Sequence, residues 1–153
     1  MNKHTLKNLI KIDEPPNNNT SVMTQEKIHK LVSVSINTQV LEEEKGYVLF
    51  KYLGVKMALL SDEIHNRMRI ISPITKYSNL APNIKDSLMH SNFHLALDAR
   101  YAVSEDTLYA AFIHPLSTLN EEDLDSAIKQ VCNLASSFGK TYSSGQLDFT
   151  HKR

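Results

Sequence analysis

Between positions 47 and 74 the chain reverses direction faster than parallel strands allow. Residues 47–53, 55–60 and 67–74 are rich in β-branched and aromatic residues, and only Gly54 and the polar stretch 61–66 separate them. The third segment alternates, with Met68 and Ile70 on one face and Arg67, Arg69 and Ile71 on the other. A parallel crossover needs about a dozen residues, so these connectors favour antiparallel neighbours.

Two further strands follow. Leu95, Leu97, Ala99, Tyr101 and Val103 would share one face of the first, and Leu108, Ala110 and Phe112 one face of the second. The polar tetrapeptide 104–107 joins them as the clearest hairpin of the chain. Helices frame the strands. Thr24 is placed to cap a first helix, with Met23 and Ile28 as a hydrophobic staple and Ile28, Leu31 and Val32 as its apolar stripe. Val32, Val34 and Ile36 alternate with serines, which leaves the end of that helix open. Pro82 suits the first turn of a short helix that turns Ile84 and Leu88 inward and ends at Asn92 in the left-handed conformation. In the last helix Asn120 caps, Leu119 and Leu124 staple, and Gly139 terminates. Leu124, Ala127, Ile128, Val131, Leu134, Ala135 and Phe138 form its stripe, while Asp125 and Lys129 stand one turn apart on the other side. The expected order is α-β-β-β-α-β-β-α, an α+β fold whose antiparallel sheet carries helices mainly on one face.

The 153 residues suit one domain. Residues 13–22 combine a Pro pair with an Asn run, so 1–22 are expected to form a flexible N-terminal tail and linker and 23–153 a single domain. The tail carries Lys3, Lys7 and Lys11 among Leu6, Leu9, Ile10 and Ile12, a mildly amphipathic pattern for which docking is the route to partial order. It lacks the apolar core of a signal peptide, and no apolar run reaches the roughly 20 residues of a membrane span. Seventeen basic and seventeen acidic residues cancel, which gives no long-range attraction to phosphates or anionic lipid. One cysteine, Cys132, cannot form an intramolecular disulfide, so the cytoplasm is the expected compartment.

No catalytic, cofactor-binding or metal-binding residue is expected. Four glycines supply neither a dinucleotide fingerprint nor a phosphate loop. Seven histidines include no HExxH, and His90 and His94 are expected to straddle a helix-to-strand break. Cys132 lies beside Ile128 and Val131 and reads as a small hydrophobe. His94, Asp98 and Arg100 would project from one strand face, with Tyr109 and Ile113 near them across the hairpin, where a solvated ion pair outweighs an acid–base group. Lys51, Lys56, Arg67 and Arg69, with Tyr47 or Tyr52, could form a basic strip of the kind that single-stranded nucleic acid uses. Val34 and Ile36 fall outside the first helix's stripe. Together with His94, Asp98, Arg100 and Tyr109 they are the candidate binding surface.

The block Asn92-Phe93-His94-Leu95-Ala96-Leu97-Asp98-Ala99-Arg100-Tyr101-Ala102-Val103, followed by residues 108–115 and the capped last helix, resembles YbjN-like bacterial proteins, a family similar in fold to the class I type III secretion chaperones. The resemblance covers roughly residues 24–139. It implies a compact α+β domain that commonly dimerises and, in the secretion chaperones, holds an unfolded effector segment along its surface. The expectation is a non-enzymatic, chaperone-like protein- or peptide-binding domain, working as a homodimer without membrane, nucleic acid or cofactor. Tyr101, Phe112 or the helix around Leu88 would supply the dimer surface. The alternative is a small regulatory or nucleic-acid-binding protein that uses the basic sheet strip.

Overall fold

The computed structural model describes residues 22–139. The expected tail, 1–22, lies outside them except for Val22. Three helices and six strands follow in the order α1 (Gln25–Val34), β1 (Thr38–Glu44), β2 (Tyr47–Tyr52), β3 (Val55–Asp62), β4 (Arg67–Lys76), α2 (Pro82–His94), β5 (Arg100–Ser104), β6 (Thr107–His114) and α3 (Glu121–Ser137). A single 3-10 turn, Tyr77–Asn79, joins β4 to α2. The expected order is kept, with one further strand, β1, inserted after the first helix.

All six strands form one antiparallel sheet in the order β1-β2-β3-β4-β6-β5. Tight turns make the meander possible. Leu53 and Gly54 both adopt positive φ between β2 and β3, as do Glu105 and Asp106 between β5 and β6, the backbone that matches the twist of a two-residue hairpin. One face of the sheet is the core. Val48, Phe50, Met57, Leu59, Met68, Ile70, Leu108, Ala110 and Phe112 point into it and meet Ile28 and Val32 of α1, Ile84 and Leu88 of α2, and the α3 stripe. Burying a large apolar side chain is worth about 1.5–3 kcal/mol, so this layer is the main source of stability.

The caps act as the residue types require. Thr24 accepts a hydrogen bond from the Lys27 N–H, and Asn120 accepts one from the Asp123 N–H. Met23 and Ile28 are both buried, as are Leu119 and Leu124. Gly139 takes a positive φ of 73° after the last helix. Asp125 and Lys129 pair at 2.6 Å on its outer face.

Two boundaries differ from expectation. β1 was hidden because it is an edge strand with four exposed residues at its end and no clean alternation. The segment before β5 is not a strand: α2 runs on to His94, and Leu95 and Ala96 both donate to the Ser91 carbonyl. The Asp98 and Ala99 N–H groups then donate to Oε1 of Gln130 on α3, which holds residues 95–99 as a loop. Asn92 stays helical and does not adopt the left-handed conformation. Its amide spans the backbone of Tyr101, donating to the carbonyl at 3.0 Å and accepting from the N–H at 2.7 Å.

Candidate binding surfaces

A sheet of six strands has two edges, and they are not equivalent. On β5 the Asn92 side chain already occupies the hydrogen-bonding groups of Tyr101, so this edge is part covered. β1 pairs only with β2, and its outer side is free among the described residues. A bulge between Val40 and Glu42 and the acidic run Glu42, Glu43 and Glu44 mark that side. Bulges and charges are the devices by which exposed edges resist indiscriminate pairing.

α1 lies along β1. His29 is buried, and its Nδ1 stands 3.0 Å from Glu43 Oε1, tying the helix to the edge strand. The other ring nitrogen, Nε2, is buried without a hydrogen-bond partner. Gln25 Nε2 donates to the Ser61 carbonyl at 2.8 Å and fixes the start of the helix. A hollow of about 560 Å³ opens here, lined by His29, Ser33, Glu43, Gln25 and Glu63 among others. At the far end of β1 the Leu53 N–H donates to the Asn37 carbonyl, which brings Leu53 beside Ile36. Ile36 is 83% exposed, Val34 69% and Leu53 62%. Sequence reasoning singled out the first two and missed Leu53, whose exposure follows from its place in a hairpin turn.

A second apolar surface runs along α2 and the loop beyond it. Met89 and Phe93 lie one turn apart and are solvent-facing, as are Leu97 and, on β5, Val103. The neighbouring hollow, about 240 Å³, is lined by Leu95, Leu97, Ala99 and Leu134. Of the alternatives expected to supply a dimer surface, the helix around Leu88 does expose Met89 and Phe93, whereas the individual residues expected there do not face solvent. Leu88, Tyr101 and Phe112 are all core, and the Tyr101 hydroxyl donates to the Leu134 carbonyl inside the protein.

The expected cluster on one strand face is only partly assembled. His94 is the last residue of α2, edge-on to Phe93, and Asp98 sits in the loop, so neither shares a strand with Arg100. Asp98, Arg100 and Ile113 do line one hollow of about 410 Å³, with His114, Asp123 and Gln130. Tyr109 lies outside that lining, opposite Ala102 in the hairpin. Arg100 spends its guanidinium locally, donating to the carbonyls of Leu97 and Ala99, and Asp98 accepts from Gln130. Gln130 was not legible in the sequence, because only tertiary packing brings α3 against this loop and the His114 end of β6.

His90 and His94 both belong to α2, one turn apart, so the expected break does not separate them. Among the described residues no group of three or more His, Cys, Asp and Glu is placed to hold a metal ion. Cys132 is buried, and desolvation raises its thiol above the ordinary range, as suits a core residue.

The open face of the sheet does not carry a continuous basic strip. Lys51 and Lys56 face each other at one end, whereas Arg69 lies opposite Leu60 and Arg67 opposite Asp62 toward the other. Between them runs an apolar row, Leu49, Ala58, Ile71 and Ala111. Tyr52 is buried on the core side and offers no stacking surface, while Tyr47 is half-buried. Among the described residues no helix is long and apolar enough to cross a membrane.

No protein-family model and no curated protein sequence matches this chain. Solved structures do. A chain of the HopA1–SchA chaperone–effector complex superimposes with a TM-score of 0.56 at 8% identity, over 76% of this chain and 91% of that one. The chain shares that fold. A chain of the ExsC–ExsE complex gives 0.52 at 13% identity, over 76% and 93%. The Yersinia pestis type III secretion chaperone SycH in complex with a stable fragment of YscM2 gives 0.52 at 11% identity, over 74% and 94%. The likeness spans nearly the whole of each neighbour, so it concerns the complete α+β domain rather than a shared hairpin.

Proposed function

We propose that this chain is a non-enzymatic protein-binding domain of the chaperone type, which holds an extended, partly apolar segment of a partner protein and works as a homodimer in the cytoplasm. The observation that carries the reading is the free edge of β1 beside exposed Val34, Ile36 and Leu53. A guest strand added there takes up the backbone groups of the edge, and its apolar side chains gain a surface to cover. The complexes that share the fold support a protein as the partner class. The dimer would be built on the other apolar surface, Met89, Phe93 and Leu97, which leaves β1 open to the guest. The resemblance of block 92–103 to the YbjN-like proteins supports the same reading.

The test is a panel of extended apolar peptides measured against the full chain and against Ile36→Asp with Leu53→Asp. Both residues are exposed, so the fold should survive while saturable peptide binding weakens about tenfold, the scale of a few lost apolar contacts. Binding unaffected by both substitutions would move the site elsewhere. Absence of saturable binding together with small-molecule turnover would replace the reading with an enzyme.

A further inference from the structure

The sheet has a short gap beside β6, at the edge opposite β1. β6 runs to His114, but β5 begins at Arg100 opposite Ala111, so Phe112, Ile113 and His114 have β4 on one side and no strand on the other. The two-residue turn of this hairpin sets which backbone groups are left open. Ser104 and Thr107 flank the turn as a hydrogen-bonded pair, and bonded pairs recur at every second position, Ala102 with Tyr109 and Arg100 with Ala111. Ile113 is next in that series. Its N–H and C=O therefore point into the space where β5 has ended, and among the described residues nothing bonds to them there. The chain that could fill the space is held away from it: Gln130 Oε1 accepts from the Asp98 and Ala99 N–H groups, and the Arg100 guanidinium donates to the carbonyls of Leu97 and Ala99.

The hollow of about 410 Å³ lies at this gap, inside the roughly 300–1,000 Å³ typical of ligand sites. Its walls decide what fits. A guest residue opposite Ile113 turns its side chain to the open face of the sheet, where Ile113 is 62% exposed, so an apolar residue gains most there. The adjoining guest residue turns the other way, toward α3. On that side the half-buried His114 ring lies parallel to Phe112 with centroids 6.0 Å apart, and Asp123 lines the same hollow. With Asp98 beside it, the hollow holds two carboxylates against the single guanidinium of Arg100, which is turned to the carbonyls of its own loop. A planar cation matches such a wall, because a guanidinium stacks on a ring and pairs with a carboxylate at once. We propose that the gap binds a short extended segment of a partner protein, in which an apolar residue pairs with the Ile113 backbone and an adjacent arginine lies along the His114 ring to reach Asp123. The segment continues the line of β5, antiparallel to β6. Only Ile113 offers a main-chain pair, so the site reads two residues rather than a long strand. It lies across the sheet from β1 and does not depend on β1 receiving a guest.

Titration of the full chain with the blocked peptide acetyl-Ser-Val-Arg-Ser-amide, followed by amide NMR, tests the proposal. Saturable shifts are expected at the amides of Ile113, Asp98 and Ala99 and at the Gln130 side chain. Methylating the valine nitrogen removes the donor to the Ile113 carbonyl and should weaken binding about tenfold. Replacing the peptide arginine by glutamate should weaken it by about as much, as should Asp123→Asn, which keeps the backbone N–H that Asn120 caps. Equal affinity for the methylated peptide would overturn the pairing with Ile113. Absence of saturation, or shifts confined to β1, would overturn the site. An Ile113 amide that shifts with protein concentration in the absence of peptide would assign the gap to a second copy and overturn the partner. Ile36→Asp with Leu53→Asp should leave this titration unchanged, so capture of apolar peptides at β1 can fail while the gap still binds, and the reverse result removes the gap and leaves β1.

Discussion

Asp106 shows how much one side chain can hold together. It takes a positive φ in the β5–β6 turn, its carboxylate accepts from both the N–H and the hydroxyl of Ser78 at 2.8 Å, and its carbonyl accepts from the Tyr77 N–H. The Ser78 hydroxyl above all, and then the Ser78 N–H and the charges of Lys76 and Lys85, hold its carboxyl below the ordinary 3.8. A depressed folded value means that the ionised form contributes stability in full above the unfolded value and loses it as pH falls through the folded one. Asp106→Asn should therefore lower the melting temperature near neutrality, and the gap to the wild type should close as pH drops below 3.8. A gap that is the same at neutral and strongly acidic pH would remove the charged-acceptor account. Residues whose role depends on local spacing were legible in the sequence, Thr24, Asn120 and Cys132 among them. Gln130 was not, because its task is to hold two N–H groups of a loop that lies over thirty positions earlier in the chain.

Elements with strong punctuation were read correctly, and the ones that failed did so for stated reasons. β2, β3, β4 and α3 alternate or repeat because each has one buried face, and β6 does so except at Ala111, which is buried as well. β1 has little to bury, and block 92–103 has the apolar alternation of a strand but is divided by tertiary hydrogen bonds into helix end, loop and strand. Turns give the sharpest test at this scale. Gly54 has a φ of 81° with nothing within 4 Å of an added Cβ, so Gly54→Ala should cost only the left-handed strain, about 1–2 kcal/mol. At Gly46, with φ 75°, the added Cβ would meet the Ser61 carbonyl at 2.8 Å and Gln25 Nε2 at 2.9 Å. Gly46→Ala should cost clearly more and loosen the start of α1, as urea titration of both variants will show. Equal costs would mean that Gln25 and β3 yield freely.

For the whole molecule, the class of fold followed from the sequence, whereas its surfaces did not. Periodicity tells which residues face inward only once an element's limits are known, and the limits of α2 were two residues short. Tyr101 and Phe112, two of the expected dimer residues, are core, whereas the helix around Leu88 buries Leu88 itself and exposes its other side. Phe93 on that helix and Leu97 just beyond it are 84% and 72% exposed. Phe93→Asp with Leu97→Asp should turn a sedimenting dimer into a monomer with little change in melting temperature; a wild type that is monomeric at micromolar concentration would end the dimer proposal. The sheet order has one more consequence, for the way the chain folds. β1 to β4 can zip through successive turns, each closing on a microsecond scale, but β6 must insert beside β4 across α2 and β5. Ile70 opposite Phe112 belongs to that seam, and Ile70→Val, a loss of about 0.5–1.5 kcal/mol, should act mainly by slowing refolding. An effect confined to the unfolding rate would place the seam after the barrier. Until it closes, β4 is itself an open edge, so during synthesis the first half of the chain passes through a state that any passing strand could pair with.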